Sequence, residues 1–224
     1  MKKVCSTFLG LLVYLFVIGS SFAEESVRKV LNQEQLLAEL FRIALPLHGK
    51  SSSDRNCIGF NAFKLQNGNV AYVSAGHCVY GYYADQDNKV TKEVRWPLGR
   101  DYLIAERKMG NEKLEFARPS FEPFILGESY YTFSQNSQID PISSFGIIWM
   151  VYCGVVRGNQ TDMHTFRMLS TSVWLQRFSS GLSGSPVLNK FGDTVAIGTA
   201  ILPSNPGLIV AVPLSLLREK FPNP

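Results

Sequence analysis

Ser180-Gly181-Leu182-Ser183-Gly184-Ser185-Pro186-Val187 is the stretch on which the reading of this chain turns. A serine flanked by glycines in a tight turn can expose its hydroxyl and aim two backbone N–H groups at one point. That geometry suits a nucleophile beside an oxyanion hole. The same composition also makes a plain turn before a strand, so the stretch needs partners. Two others qualify. Val73-Ser74-Ala75-Gly76-His77-Cys78 runs a strand into a histidine beside a cysteine. Arg100-Asp101-Tyr102-Leu103-Ile104-Ala105 opens an apolar strand with an acid. Taken singly, the histidine reads as structural and the aspartate as an ordinary strand-start residue. Taken together they complete a chemistry. A serine hydroxyl is a poor nucleophile until a neutral imidazole takes its proton, and the imidazole needs an acid on its other nitrogen to fix its tautomer.

The order His, Asp, Ser excludes several hydrolase classes. All three histidines, His48, His77 and His164, precede Ser183, so the Ser–Asp–His order of the α/β-hydrolases is impossible. The Gly-x-Ser-x-Gly elbow fails because Ser185 stands where its second glycine belongs. No Ser-x-x-Lys starts at Ser183, against a β-lactamase or penicillin-binding site. His48 follows the first expected strand in a loop and His164 lies in a polar segment, so neither has a setting like that of His77. Asp85 and Asp87 compete with Asp101, but they follow His77 too closely to reach a new strand.

Around these motifs the period is that of strands. A short helix is expected over residues 24–39, with Asn32 and Gln35 as a capping box. Strands are expected at 40–47, 57–65, 70–75, 101–106, 121–126, 145–156, 165–175, 186–190, 194–202 and 207–212. Asn67-Gly68 is a hairpin turn whose two central positions need positive φ. Gly192-Asp193 and Asn205-Pro206-Gly207 separate later strands. Many short strands with turn signals mean an all-β barrel or sandwich. Residues 214–221 read as a closing helix before Pro222. Residues 80–87 (YGYYADQD) read as a polar-aromatic surface loop.

The 224 residues are 46% hydrophobic and 18% charged, an ordinary globular composition that excludes disorder and fibre. The net charge of +4 includes Lys2 and Lys3, and the remainder does not point to nucleic acid. Those lysines, an apolar run at 8–19 and Ser21-Phe22-Ala23 form a three-part secretory signal over residues 1–23. The run falls short of the roughly 20 residues of a membrane span, so the mature chain is expected off the membrane, in the periplasm or the medium. Cys5 leaves with the signal. Cys57, Cys78 and Cys153 remain, so one pair and one odd thiol are expected in an oxidising compartment. No paired Cys/His spacing suggests a metal site.

The chain resembles the chymotrypsin-like serine peptidases. Ala75-Gly76-His77-Cys78 is similar to that family's motif around the general base, and Gly181-Leu182-Ser183-Gly184-Ser185-Pro186-Val187 to its motif around the nucleophile. Asp101 matches the family's acid, although Tyr102-Leu103 depart from the usual aliphatic-Ala continuation. Its distance from His77 suits the shorter bacterial and viral members. Cys57-Ile58-Gly59-Phe60 resembles the Cys-x-Gly strand. Coverage is about residues 40–221. The resemblance implies an all-β fold of two six-stranded antiparallel barrels with a C-terminal helix. It implies Ser183 as nucleophile, His77 as base, Asp101 as orienting acid, and the N–H groups of Gly181 and Ser183 as the oxyanion hole. It also implies a disulfide between Cys57 and Cys78, leaving Cys153 free, and no cofactor or metal. The Gly-x-Ser-Gly-Ser-Pro form and the run from Ile209 to a closing helix resemble the bacterial glutamyl-endopeptidase branch. With Pro224 so soon after Ser183, the peptide-binding domain of Deg-type proteases is not expected.

The expected activity is that of an exported monomeric endopeptidase acting on polypeptides, without nucleic acid or membrane partners. The alternatives are a binding protein on an inactive protease scaffold, and an esterase using the same triad. Family analogy places the specificity pocket at Arg177, Phe178 and Ser180 on one side and Thr199, Ala200, Ile201 and Leu202 on the other. Neither stretch holds a carboxylate, so cleavage after Lys or Arg is expected to be poor. With Arg177 turned to solvent the pocket is apolar, the reading favoured here; with Arg177 turned inward it would pair with a substrate carboxylate. Between Ala23 and Cys57 no Ile-Val-Gly-Gly-type sequence follows a basic residue, so trypsin-style zymogen cleavage is not expected. Residues 24–39 could still act as a short pro-segment.

Overall fold

Three apolar residues at helical spacing, Leu36, Leu40 and Ile43, begin the ordered fold, and all three are buried. They lie on helix α1, Gln33–Ile43. Its expected capping box is present: the Asn32 side chain accepts from the Gln35 N–H at 2.9 Å, and the Asn32 N–H donates to Gln35 Oε1 at 3.1 Å. The helix nevertheless lies later than residues 24–39. It continues across 40–43, where a strand was expected, because burial of Leu40 and Ile43 follows the helical period set by Leu36. Strand β1 is only Ala44–Leu47.

The computed structural model describes residues 28–47, 57–78, 89–94, 98–108, 113–135, 145–158, 161–169, 181–202 and 204–220. The expected export signal at 1–23 lies outside them. The chain divides into two units, Met1–Val30 and Leu31–Pro224, and the fold is that of the second. Among the described residues no helix is long and apolar enough to cross a membrane.

The N-terminal half is an antiparallel sheet in the order β1-β2-β3-β5-β4, with β2 Cys57–Lys64, β3 Val70–Ser74, β4 Lys89–Val94 and β5 Tyr102–Arg107. The C-terminal half is a closed six-stranded barrel. Its strands are β6 Ser129–Gln135, β7 Phe145–Arg157, β8 Asp162–Met168, β9 Pro186–Leu188, β10 Thr194–Ile201 and β11 Leu208–Pro213. They run β10-β11-β8-β7-β6-β9 around the barrel. The expected closing helix is a 3-10 helix, Leu214–Lys220. Sheet, barrel and sparse helix are consistent with the expected two-barrel architecture, except that the N-terminal half shows five of its six expected strands among the described residues and only the C-terminal half is closed.

Several local expectations are corrected. The β2–β3 turn is closed by the Gly68 N–H on the Leu65 carbonyl at 3.0 Å, so its central residues are Gln66 and Asn67. Gly68 follows in the left-handed region at φ +85°, as in hairpins that add a bulge after the turn. Residues 121–126 form no strand. Phe124 instead packs edge-on to Tyr130 and Phe166 at centroid distances of 5.5 and 5.1 Å, sealing the barrel. Strands β4 and β6 were not foreseen, because β4 is charge-rich and β6 carries aromatics and hydroxyls in place of aliphatics.

One core runs through the seam between the halves. Leu36, Leu40 and Ile43 of α1 share it with Ile58 and Phe60 of β2, Phe133 of β6, Leu188 of β9 and Ile197 of β10. Arg42 adds polar ties, bonding Glu39 and Glu115 and donating to the Phe116 carbonyl at 3.0 Å. Helix α1 is therefore a wedge in the seam. Leu40→Ala is expected to cost about 2–5 kcal/mol by leaving a cavity there, measurable by urea unfolding. A polypeptide cut near residue 40 is expected to lose stability rather than gain activity, which a Tm and rate comparison with the uncut chain checks.

Candidate active site

The β3–β5 ladder brings two of the expected site residues to one end. Its last pair is Ser74 with Leu103. The chain just after β3 and the chain just before β5 therefore emerge side by side, carrying His77 and Asp101. His77 sits on a single 3-10 turn, Gly76–Cys78. Asp101 is fully buried. It accepts from the His77 main-chain N–H at 2.9 Å through Oδ1, and its Oδ2 lies 2.5 Å from His77 Nδ1. Two bonds to one histidine fix both the ring and the strand end that bears it. Cys78 closes a disulfide with Cys57, tying the residue after His77 to the start of β2; Cys153 is free and exposed. Cys57, Cys78 and His77 are the one cluster of candidate metal ligands among the described residues. Its two sulfurs are bonded to each other, so it offers no thiolate.

Ser183 arrives from the other half. The turn before β9 has Gly181 at φ +91° and Gly184 at φ +85°. Leu182 between them is buried in the barrel core with Tyr130, Phe166 and Ile209. The Leu182 carbonyl accepts from the Ser185 N–H at 3.0 Å and from Ser185 Oγ at 2.7 Å. Ser183 Oγ then lies 2.7 Å from His77 Nε2 and 3.2 Å from the Thr199 carbonyl. The structure thus brings Ser183, His77 and Asp101 into one hydrogen-bonded line drawn from both halves.

Gly184 cannot carry a side chain. A Cβ there would fall 1.8 Å from the Ile58 carbonyl oxygen, quite apart from its positive φ. The turn is that close because the Ile58 N–H donates to the Ser183 carbonyl at 2.8 Å.

Strand β10 runs past this turn. Its pairing with β9 ends at Ile197 opposite Pro186, whereas its pairing with β11 continues to Ile201 opposite Ile209. Gly198 is still bonded to the nucleophile turn, its carbonyl accepting from the Gly184 N–H at 2.7 Å and its N–H donating to the Ser185 carbonyl at 2.8 Å; beyond it one edge of β10 has no strand partner among the described residues. Thr199 is the bulged residue there, its hydroxyl held by the Val210 carbonyl at 3.0 Å. Ala200, Ile201 and Leu202 follow, all half-buried. Arg177, Phe178 and Ser180, the other expected pocket residues, lie outside the described residues, as do Asp85, Asp87 and His48. Thr199 was named only as a wall of the pocket; that its carbonyl meets the serine hydroxyl has no sequence signal, because any residue supplies a carbonyl.

His164 is elsewhere. It lines the barrel interior with its Nδ1 2.8 Å from Tyr152 Oη and its ring 5.1 Å from that of Phe124. Burial holds its pKa below the usual imidazole value, with Asp162 opposing more weakly.

The same fold recurs in solved structures. Deg5 aligns over 85% of this chain and 95% of its own, at TM-score 0.53 and 15% identity. The protease domain of MamO from Magnetospirillum magneticum aligns over 84% of this chain and 100% of its own, at TM-score 0.53 and 15% identity. An inactive mutant form of Rv3671c from M. tuberculosis H37Rv aligns over 86% and 94%, at TM-score 0.57 and 11% identity. The fold is that of the chymotrypsin-like serine proteases. These likenesses do not support the narrower glutamyl-endopeptidase branch. No family model matches the chain, and no curated protein matches it by sequence.

Two outcomes follow. Replacing Cys57 and Cys78 together by alanine is expected to lower stability by roughly 3 kcal/mol, the chain-entropy value for a loop of about this length, read by denaturant unfolding. A folded-state pKa depressed for His164 means that its neutral burial stabilises fully above the ordinary value of about 6.5 and is lost as pH falls through the folded value. Wild-type Tm is therefore expected to fall more steeply below about pH 6.5 than that of His164→Gln.

Proposed function

We propose that this chain is an exported serine endopeptidase. The observation that carries the reading is the line of contacts in which His77 Nε2 reaches Ser183 Oγ at 2.7 Å and His77 Nδ1 reaches Asp101 Oδ2 at 2.5 Å. In this reading Ser183 Oγ attacks the scissile carbonyl while its proton passes to His77 Nε2. Asp101 holds the Nδ1–H tautomer and stabilises the imidazolium. The N–H groups of Gly181 and Ser183 take the developing oxyanion. His77 returns the proton to the leaving amine, and water hydrolyses the acyl-enzyme by the same relay. No cofactor or metal takes part.

Among the described residues β10 has no strand partner on one edge beyond Gly198, and this supports a polypeptide substrate, because an extended chain can add there as a strand beside Ser183. The half-buried Ala200, Ile201 and Leu202 support an apolar primary pocket; the other residues expected to line it, Arg177, Phe178 and Ser180, lie outside the described residues. The Cys57–Cys78 disulfide supports maturation in an oxidising compartment, periplasm or medium. The glutamyl-endopeptidase branch rests on the Gly-Leu-Ser-Gly-Ser-Pro form and on the run from Ile209 into the closing helix. The mature protein is read as a monomer that engages neither nucleic acid nor membrane.

A fluorophosphonate probe is expected to label the wild type and not Ser183→Ala; absence of wild-type labelling would favour an inactive scaffold that binds. Asp101→Asn is expected to lower kcat on the order of 10⁴-fold while the fold persists. Cleavage-site profiling on a peptide library is expected to show cutting after medium apolar residues. Dominant cutting after Lys or Arg would refute the pocket, and cutting after Glu that collapses in Arg177→Ala would select the inward arginine.

A further inference from the structure

We infer that the Ser74 hydroxyl is a positioning residue for Ser183, an inference that rests on the function proposed above. Strand β3 pairs with β2 up to Ser74 opposite Gly59 and then departs to carry His77. Beyond that pair, Ile58 keeps Pro46 of β1 on one edge but has lost its β3 neighbour on the other. The Ser183–Gly184 turn takes the vacated place, with the Ile58 N–H donating to the Ser183 carbonyl at 2.8 Å. The other polar group of Ile58, its carbonyl, accepts from Ser74 Oγ at 2.5 Å. Ser74 and Ile58 are both fully buried. The hydroxyl also stands against the turn itself, 2.2 Å from where a Gly184 Cβ would lie.

Ser74 thus joins three parts at one point: the strand that delivers His77, the β2 edge that seats the nucleophile turn, and the turn. Without the hydroxyl, the Ile58 carbonyl is left buried and unpaired. The Ile58 carbonyl and N–H lie on the two successive peptides that flank its Cα, so a shift of this main chain that turns the carbonyl toward another donor also displaces the N–H from Ser183. The hydroxyl acts on the reaction through this stretch of main chain and touches no reacting atom.

The test compares Ser74→Ala and Ser74→Thr with wild type by fluorophosphonate labelling rate and by the split between kcat and KM. Thr165→Val serves as control, since it deletes a comparable bond, Thr165 Oγ1 to the Gly154 carbonyl at 3.0 Å, within the barrel. All rates are taken well below each variant's melting temperature. Ser74→Ala is expected to slow labelling and kcat on the order of 10- to 100-fold with KM little changed, as for a small misplacement of a nucleophile. Ser74→Thr, which keeps a hydroxyl, is expected to recover most of the rate, and Thr165→Val to label like wild type. A folded Ser74→Ala that labels at the wild-type rate overturns the inference, as does an equal loss in Thr165→Val. A wild type that does not label at all overturns the proposed function instead, and the two failures are thereby distinguished.

Discussion

The bond from the Ile58 N–H to the Ser183 carbonyl decides the rest of this molecule. The sheet owns His77 and Asp101, the barrel owns Ser183, and no covalent link near the site joins the two. A hydroxyl and an imidazole make a useful hydrogen bond only over a few tenths of an ångström. That tolerance has to be met by a main-chain contact across the seam. It explains why β3 stops where it does, why Gly184 has no side chain, and why a disulfide pins Cys57, next to Ile58, to Cys78, next to His77. The polar seat is backed by apolar filling: α1 closes one side of the seam with Leu36, Leu40 and Ile43, and Leu182 sinks the turn into the barrel core.

Electrostatics and packing divide the work. Asp101 is buried but spends both oxygens on His77, so its charge is matched by donors rather than left in an apolar surround. Ser183 is oriented from its flanks: Leu182 by burial, Ser185 by bonds back to the Leu182 carbonyl, and Gly184 by its close approach to β2. The chemistry is thus carried by few side chains and the precision by many main-chain groups.

That division also explains what could be read beforehand. His77, Asp101 and Ser183 announce themselves because their types are required by the chemistry and because Gly and Cys mark their neighbourhoods. The Asn32–Gln35 cap and most barrel strands were legible for similar reasons of local pattern. Helix α1 was placed too early because Val27, Val30 and Leu31 supply an apolar spacing as good as that of Leu36, Leu40 and Ile43. The seam, a tertiary feature, buries the second set on the helix, while Leu31 packs against the same core from the non-helical stretch before the cap. Strand β6 escaped because it buries hydroxyl residues, Thr132 and Ser134, where aliphatics would mark a strand; Thr132 is satisfied there by its contacts with Ser185 and Pro186. The parts played by Ile58 and by the Thr199 carbonyl are main-chain parts, which a sequence does not write.

The most direct trial of the account is to catch the covalent intermediate. The intact protein is mixed with an activated ester, quenched in acid within the first turnover, and digested for mass-spectrometric location of the acyl group. A single acyl group is expected on Ser183, absent in His77→Ala. Turnover without acylation, or an acyl group on another residue, would contradict it.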